Sequence, residues 1–140
     1  MYYSFCYVSI QTNNNMLSVN IPVYNVEIAD LVLQLRNQAE KLEIPYEIRI
    51  YDDGSQVWFK EQNRKIAGLS NVIYSELEKN VGRAVIRNQM GHDSAFQYLL
   101  FIDADSKLVS DNYLASYLEH VRENVVLCGG TVYSSQKPAD

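Results

Sequence analysis

Two acidic residues, separated by one alanine, directly follow an apolar run in the segment Phe101-Ile102-Asp103-Ala104-Asp105. Carboxylates about 5–6 Å apart repel one another by roughly 3 kcal/mol at an effective dielectric constant near 20, so something must offset their charge. A shared proton, an arginine or a divalent cation could do so, and hard cations that touch phosphates take oxygen ligands. Taken alone, the segment is equally typical of a solvated acidic turn.

A second acidic pair opens the segment Asp52-Asp53-Gly54-Ser55, which also follows a predicted strand. Asp-Gly is a common turn pair, so the residue types alone indicate a turn. Its position also favours a role in binding, because the carboxyl ends of parallel strands meet at one edge of a sheet, where ligands bind. We therefore expect both acidic pairs on the same edge.

A third segment, 80–88, begins with Asn-x-Gly and opens a predicted helix whose free N–H groups can hold an anion. Arg83 and Arg87 lie one turn apart on this helix and share a face. The alternative is an exposed pair of arginines that bind the nearby carboxylates of Glu76 or Glu78.

A fourth segment, 20–25, ends another predicted strand and contains Pro22 and Tyr24. An aromatic side chain at this place could stack on a nucleotide base. A tyrosine that packs against the rim of the sheet is the more ordinary interpretation.

The elements that must position these segments alternate between short apolar runs and amphipathic stretches. The alternation predicts an α/β fold, an open and mainly parallel sheet with helices on both faces. The run 98–102 is too continuously apolar to have a wet face, so we place it centrally in the sheet. Asn25 and Ser110 are expected to cap the first and last helices. The predicted strands are 17–23, 46–51, 71–74, 98–102 and 125–128, and the predicted helices begin near residues 25, 58, 82 and 110.

The gross composition limits the possible functions. The chain of 140 residues suits one domain, and its net charge of −5 without a basic run argues against nucleic acid and anionic lipid as partners. No P-loop or GxGxxG loop is present, and the two cysteines lack CxxC spacing. No apolar run is long enough for a transmembrane helix.

Together, the four segments resemble family 2 glycosyltransferases in their order and spacing. The shared elements are Pro-x-Tyr-Asn after the first strand, Asp-Asp-Gly-Ser, Asn-x-Gly followed by Arg-Asn, and Asp-x-Asp. Each motif is weak alone, but four in the family's order are fairly specific. The resemblance implies the GT-A fold, of which this chain would be the Rossmann-like nucleotide-binding half.

The resemblance also implies roles in binding the donor. Asp53, together with Asp52, would accept a hydrogen bond from the base of a nucleotide such as uridine. Pro22 and Tyr24 would line that base or stack on it. Arg87 would support the nucleotide near its base or phosphates.

The Asp-x-Asp motif would complete the donor site. Asp103 would face the ribose and the metal region, and Asp105 would bind Mn²⁺ or Mg²⁺. The cation would bridge the two phosphates and neutralise the charge that grows on the departing diphosphate. Asp103 and Asp105 are therefore the candidate metal residues.

The implied reaction is transfer of a sugar, with inversion, from a nucleotide-diphosphate sugar to an acceptor hydroxyl. We expect a UDP-sugar as donor and a glycan or lipid-linked acceptor, as in polysaccharide biosynthesis. Residues 1–15 would form an N-terminal extension. Residues 16–140 would form the nucleotide-sugar-binding domain, truncated before the acceptor-binding half, which in this family holds the general base. We expect a cytoplasmic protein, at the inner face of the membrane if it is membrane-associated, with exposed surfaces that favour self-association.

Other interpretations stay open. A non-catalytic nucleotide-sugar-binding module would use the same four segments without transfer. A haloacid-dehalogenase-type phosphatase also places Asp-x-Asp after an apolar strand, with the first Asp as nucleophile, but normally on the first strand of the chain. A receiver domain of two-component signalling is the weakest rival, because it would need an acidic pair on the first strand and a lysine at the end of the last strand, and neither is found.

Overall fold

A computed structural model of the protein describes residues 6–8, 16–122 and 124–130. Its centre is a five-stranded sheet in the order β1-β5-β2-β3-β4. The strands are β1 (Cys6–Val8), β2 (Leu17–Val23), β3 (Tyr46–Asp52), β4 (Val72–Glu76) and β5 (Tyr98–Phe101). The helices are α1 (Ala29–Glu40), α2 (Val57–Asn63) with a following 3₁₀ turn (Arg64–Ile66), α3 (Arg83–Asp93) and α4 (Tyr113–His120).

The order of the strands reverses at β2. From β2 the chain moves outward through β3 to β4, then returns by way of α3 to β5 on the other side of β2. All of these neighbours are parallel, and only β1 runs antiparallel, on the outer side of β5. A crevice therefore opens at the carboxyl ends of β2 and β5, the place where open α/β sheets bind ligands.

One face of the sheet is mainly apolar. Val19 and Ile21 of β2 and Ile48 and Ile50 of β3 are fully buried there, because alternate residues of a strand point to the same face. They pack with the buried stripe of α1, which includes Leu35, and with α4. This layer is the main core and holds the strands in register.

The opposite face is largely polar and is covered by α3. The Ser18 hydroxyl donates to Glu47, which also pairs with Arg49 at 3.0 Å. Arg49 donates to the hydroxyl of Tyr51, and that hydroxyl donates to Asp93 at the end of α3. Burial raises the pKa of Tyr51, and the hydrogen bond to Asp93 raises it further, so the phenol stays a donor. The network therefore ties the end of α3 to the sheet.

A small apolar cluster completes the contact of α3 with this face. Ile86 and Met90 of α3 are buried against Tyr51 and Phe101. The predicted α/β class, with a mainly parallel sheet and helices on both faces, is confirmed. Strand β5, which was predicted to be central, lies between β1 and β2, and the central strand is β2.

Strand β1 lies inside the segment 1–15 and pairs with the outer edge of β5. Three local predictions were wrong. Residues 125–127 form no strand, although one was predicted there. Asn25 does not cap α1, which begins at Ala29, because its side chain accepts the N–H of Gln56 instead. Ser110 likewise does not cap α4, because the N-cap position of that helix is Asn112.

None of the helices in the described part of the chain combines the length and apolarity that crossing a membrane requires.

Candidate functional site

An open cavity of about 290 Å³ lies at the reversal point of the sheet. Its walls come from the segments that follow β2, β3 and β5 and from the N-terminal turn of α3. The lining includes Pro22, Tyr24, Asp53, Gly82, Arg83, Arg87, Asp103 and Asp105. Three carboxylates face two guanidinium groups, which gives the lining of the cavity one excess negative charge.

Asp52 builds the turn after β3 and is fully buried. Its Oδ1 accepts the backbone N–H of Ser55 at 2.7 Å, and its Oδ2 accepts the hydroxyl of Tyr74 at 3.4 Å. Burial and the charge of Asp52 both raise the pKa of Tyr74, so that phenol remains a donor. Asp52 lies beneath the cavity and not among its lining residues.

Asp53 reaches the cavity wall and also holds the loop that precedes α3. Its two carboxylate oxygens accept the backbone N–H groups of Val81 at 2.7 Å and of Gly82 at 3.1 Å. Bonds from backbone N–H to an ionised carboxylate are among the stronger hydrogen bonds in proteins. Asp53 therefore fixes where α3 begins, and each oxygen keeps a second lone pair for a ligand.

Gly54 allows the two loops to approach so closely. Its φ of +76° favours glycine, and a Cβ there would lie 2.6 Å from the backbone nitrogen of Asn80. The glycine of the Asp-Asp-Gly-Ser segment is thus required by a backbone contact as well as by the turn.

The segment after β2 forms the opposite rim. The ring of Tyr24 is 54% exposed and lines the cavity beside the half-buried Pro22. The following residue, Asn25, has a φ of +53° and donates its N–H to the hydroxyl of Ser55 at 2.8 Å. This bond fastens the β2 rim to the β3 turn and leaves the tyrosine ring free to meet a ligand.

Asp103 is nearly buried and is paired with two arginines of α3. Arg87 contacts its Oδ1, and Arg83 contacts its Oδ2 at 3.1 Å. Burial lowers the pKa of Arg87, and the charge of Asp103 opposes that effect. The Nε of Arg87 is buried and has no hydrogen-bond partner in the described residues.

Asp105 is exposed on the cavity wall and makes no ion pair or side-chain hydrogen bond within the described residues. Its free carboxylate and that of Asp103 suit a hard divalent cation. No group of three or more His, Cys, Asp or Glu side chains that could hold a metal occurs in the described ranges. The protein residues therefore fit such a cation only if other ligands, such as phosphate oxygens and water, complete its coordination.

Six of the seven predicted site residues line one cavity, and Asp52 supports it from below. The contact that the sequence did not reveal is the pairing of Arg83 and Arg87 with Asp103. The carboxylate of Glu76, a suggested partner of these arginines, instead binds Arg64 at 2.7 Å. The helical spacing of the arginines was visible, but the strand order that brings Asp103 beneath them was not.

Solved structures share this architecture. S. aureus TarS in complex with UDP-GlcNAc is 25% identical, with a TM-score of 0.61 over 74% of this chain and 30% of that chain. TarS in complex with UDP is 27% identical, with a TM-score of 0.56 over 75% of this chain and 32% of that chain.

A mannosyltransferase from Pyrobaculum calidifontis shows the same fold. That protein, PcManGT in complex with GDP-Man and Mn²⁺, is 20% identical, with a TM-score of 0.61. The match covers 77% of this chain and 32% of the mannosyltransferase. The chain thus spans about a third of the length of the structures it resembles.

Comparison by sequence gives a consistent result. The model of the family described as "Glycosyl transferase family 2" matches residues 18–140. No curated protein gives a significant match to the sequence.

Proposed function

Because this chain belongs to glycosyl transferase family 2, we propose that it binds a nucleotide-diphosphate sugar for inverting, metal-dependent transfer of the sugar to an acceptor hydroxyl. The observation that carries the proposal is the meeting of Tyr24, Asp53, Arg87, Asp103 and Asp105 around one cavity at the reversal point of the sheet. An aromatic ring, hydrogen-bond acceptors and cationic groups are what a base and a diphosphate require.

The base would bind between the β2 rim and the β3 turn. The exposed ring of Tyr24 offers a stacking surface, and Pro22 extends it. The remaining lone pairs of Asp53 can accept the imide N–H of a uracil. The TarS structures contain UDP-GlcNAc and UDP, which supports a UDP-sugar as the donor.

The diphosphate would lie toward α3 and the Asp-x-Asp segment. The first N–H groups of α3 and the guanidinium of Arg87, which lines the cavity, are suitable donors to phosphate oxygens. The excess negative charge of the cavity lining would oppose a diphosphate, so a cation is needed. Mn²⁺ or Mg²⁺ held by Asp105, with Asp103 beside it, would neutralise charge on the leaving diphosphate.

Transfer also needs a general base close to the acceptor hydroxyl. We assign no residue of the cavity to that role, because its carboxylates are used by the backbone, by arginines or by the proposed cation. We propose that the base belongs to an acceptor-binding part, with a glycan or a lipid-linked sugar as the acceptor.

Binding without transfer is the second candidate. It is favoured by the lining of the cavity, in which no described residue is assigned to an acceptor or to a general base. The cavity supplies contacts for a nucleotide, whereas this candidate needs no acceptor site and no general base.

Calorimetry with UDP, GDP, ADP and CDP in the presence of Mn²⁺ tests the proposal, together with release of UDP from UDP-sugars over time. We expect UDP to bind most tightly. UDP binding without any release from UDP-sugars would select the second candidate. A protein that melts cooperatively by circular dichroism but binds none of the four nucleotides would contradict both.

A further inference from the structure

We propose that Arg83 is an exchangeable partner of Asp103, displaced when a divalent cation binds and then available to the diphosphate of the donor. This inference rests on the proposed function, because it concerns how the same cavity takes up its cation and donor. It assigns Arg83 a role in coupling the two binding events.

The two arginines on Asp103 are held very differently. The side chain of Arg87 is 19% exposed, packed at the base of the cavity, whereas that of Arg83 is 69% exposed. Exposed ion pairs contribute little to stability, because water screens them and a long side chain loses freedom when it is fixed. Arg83 can therefore leave Asp103 at little cost, while Arg87 stays.

A cation at Asp103 and Asp105 must compete with Arg83. Arg87 occupies Oδ1 of Asp103 and Arg83 occupies Oδ2, so neither oxygen is without a cationic partner. A divalent cation close to Oδ2 would also repel the guanidinium. Because Arg83 is the more exposed of the two arginines, the cation displaces Arg83 from Asp103 and leaves Arg87 in place.

A displaced Arg83 has one suitable destination in the cavity. The lone pairs that remain on Asp53, the other carboxylate near the start of α3, are the ones proposed to accept the base of the donor. The diphosphate of a bound donor would supply the next anionic group, and the planar guanidinium matches phosphate oxygens in a two-point contact. The same side chain thus compensates Asp103 before the donor binds and the phosphates afterwards.

The experiment measures Mn²⁺ affinity without nucleotide by calorimetry, then UDP affinity at saturating Mn²⁺, for the wild type and Arg83→Ala. We expect Mn²⁺ to bind the variant about three- to tenfold more tightly, because a competing and repelling charge is gone. We expect UDP to bind about three- to tenfold more weakly, because a charge-assisted contact is lost.

Two further variants provide controls. Arg83→Lys keeps the charge but not the planar fork, so its Mn²⁺ affinity should stay near that of the wild type while its UDP affinity falls partway. Arg36→Ala removes an arginine that pairs with Glu40 on α1, away from the cavity, and should change neither affinity. Alanine is a good helix former, so Arg83→Ala should melt like the wild type.

Equal Mn²⁺ affinity in the wild type and Arg83→Ala, including no measurable binding by either, would overturn this inference. An unchanged UDP affinity in a variant with tighter Mn²⁺ binding would overturn it too. Failure of the wild type to bind any nucleotide would count against the proposed function, whereas the Mn²⁺ comparison without nucleotide tests Arg83 independently.

Discussion

The two acidic pairs, Asp52/Asp53 and Asp103/Asp105, lie at the carboxyl ends of β3 and β5, on either side of β2. Their carboxylates have different partners. After β3, the oxygens of Asp52 and Asp53 accept bonds from backbone N–H groups and a tyrosine hydroxyl of the protein itself. After β5, Asp103 is paired with two arginine side chains, and Asp105 is exposed and has no side-chain partner among the described residues. The first loop is built to be rigid, whereas the second keeps charge available for a ligand.

The role of an acidic pair therefore depends on the groups that bind its carboxylates, and residue type alone does not reveal it. A carboxylate that is saturated by buried backbone groups supports the shape of a site, and its loss should destabilise the fold. A carboxylate that is exposed, or that is paired with an exposed arginine, should affect binding instead. The following substitutions separate the two roles, in order of their expected effect on the free energy of unfolding.

The largest effect is expected for Gly54→Ala. The new Cβ would lie 2.6 Å from the backbone nitrogen of Asn80, at a φ of +76°. Overpacking and the left-handed backbone together should lower the free energy of unfolding by about 3 kcal/mol. Urea denaturation would measure it. Gly68→Ala is the matched control, because its Cβ would meet nothing within 4 Å; equal losses in the two variants would contradict the close approach of the loops.

Asp52→Ala should have the next largest effect. It would leave the N–H of Ser55 and the hydroxyl of Tyr74 without their buried acceptor, at a cost of about 2 kcal/mol in the free energy of unfolding. Asp105→Ala is the comparison within the other pair and should change stability by no more than about 0.5 kcal/mol. If both variants unfold at the same urea concentration, the contrast between the loops is wrong.

Asp53→Ala should combine both roles. Loss of the acceptor for Val81 and Gly82 should lower the free energy of unfolding by about 1.5 kcal/mol, because the bonds are to a charged group but lie at the cavity wall. UDP affinity should fall as well. Asp53→Asn, which keeps one acceptor oxygen, should recover part of both quantities in urea denaturation and calorimetry. A variant that loses stability but binds UDP normally would exclude contact of Asp53 with the base.

Much of the sheet could be predicted, because β2 and β3 alternate apolar with polar residues over a strand's length and β5 is a short apolar run. The positions of the two acidic pairs followed from that pattern. Strand β1 could not be predicted in the same way, since three residues give too short a pattern.

Contacts between distant segments account for the remaining differences. Asn25 has the residue type of a helix cap, yet its partners are Ser55 and Gln56, thirty residues along the chain. Similarly, Arg83 meets Asp103 only because the chain reverses at β2 and brings β5 beneath α3. Such pairings depend on the order of the strands, which local propensity does not determine.

The smallest effect on stability is expected for Tyr24→Ala, because its ring is 54% exposed. The free energy of unfolding should change by no more than about 0.5 kcal/mol. UDP affinity should fall about tenfold, because stacking of a base on an aromatic ring contributes about 1–3 kcal/mol. Tyr24→Phe keeps the ring and should bind UDP nearly as the wild type does. Equal losses of affinity in the alanine and phenylalanine variants would show that the hydroxyl, and not stacking, matters.

The most direct test of the donor site is titration of UDP with and without Mn²⁺ into the wild type, Asp105→Asn and Asp111→Asn. Asp111 is an exposed acid in the same segment that does not line the cavity, so its variant matches the change in charge. We predict Mn²⁺-dependent UDP binding by the wild type and Asp111→Asn, and its loss in Asp105→Asn with unchanged thermal stability. Mn²⁺-dependent binding of equal strength in all three proteins would contradict the assignment of Asp105 and with it the account of this site.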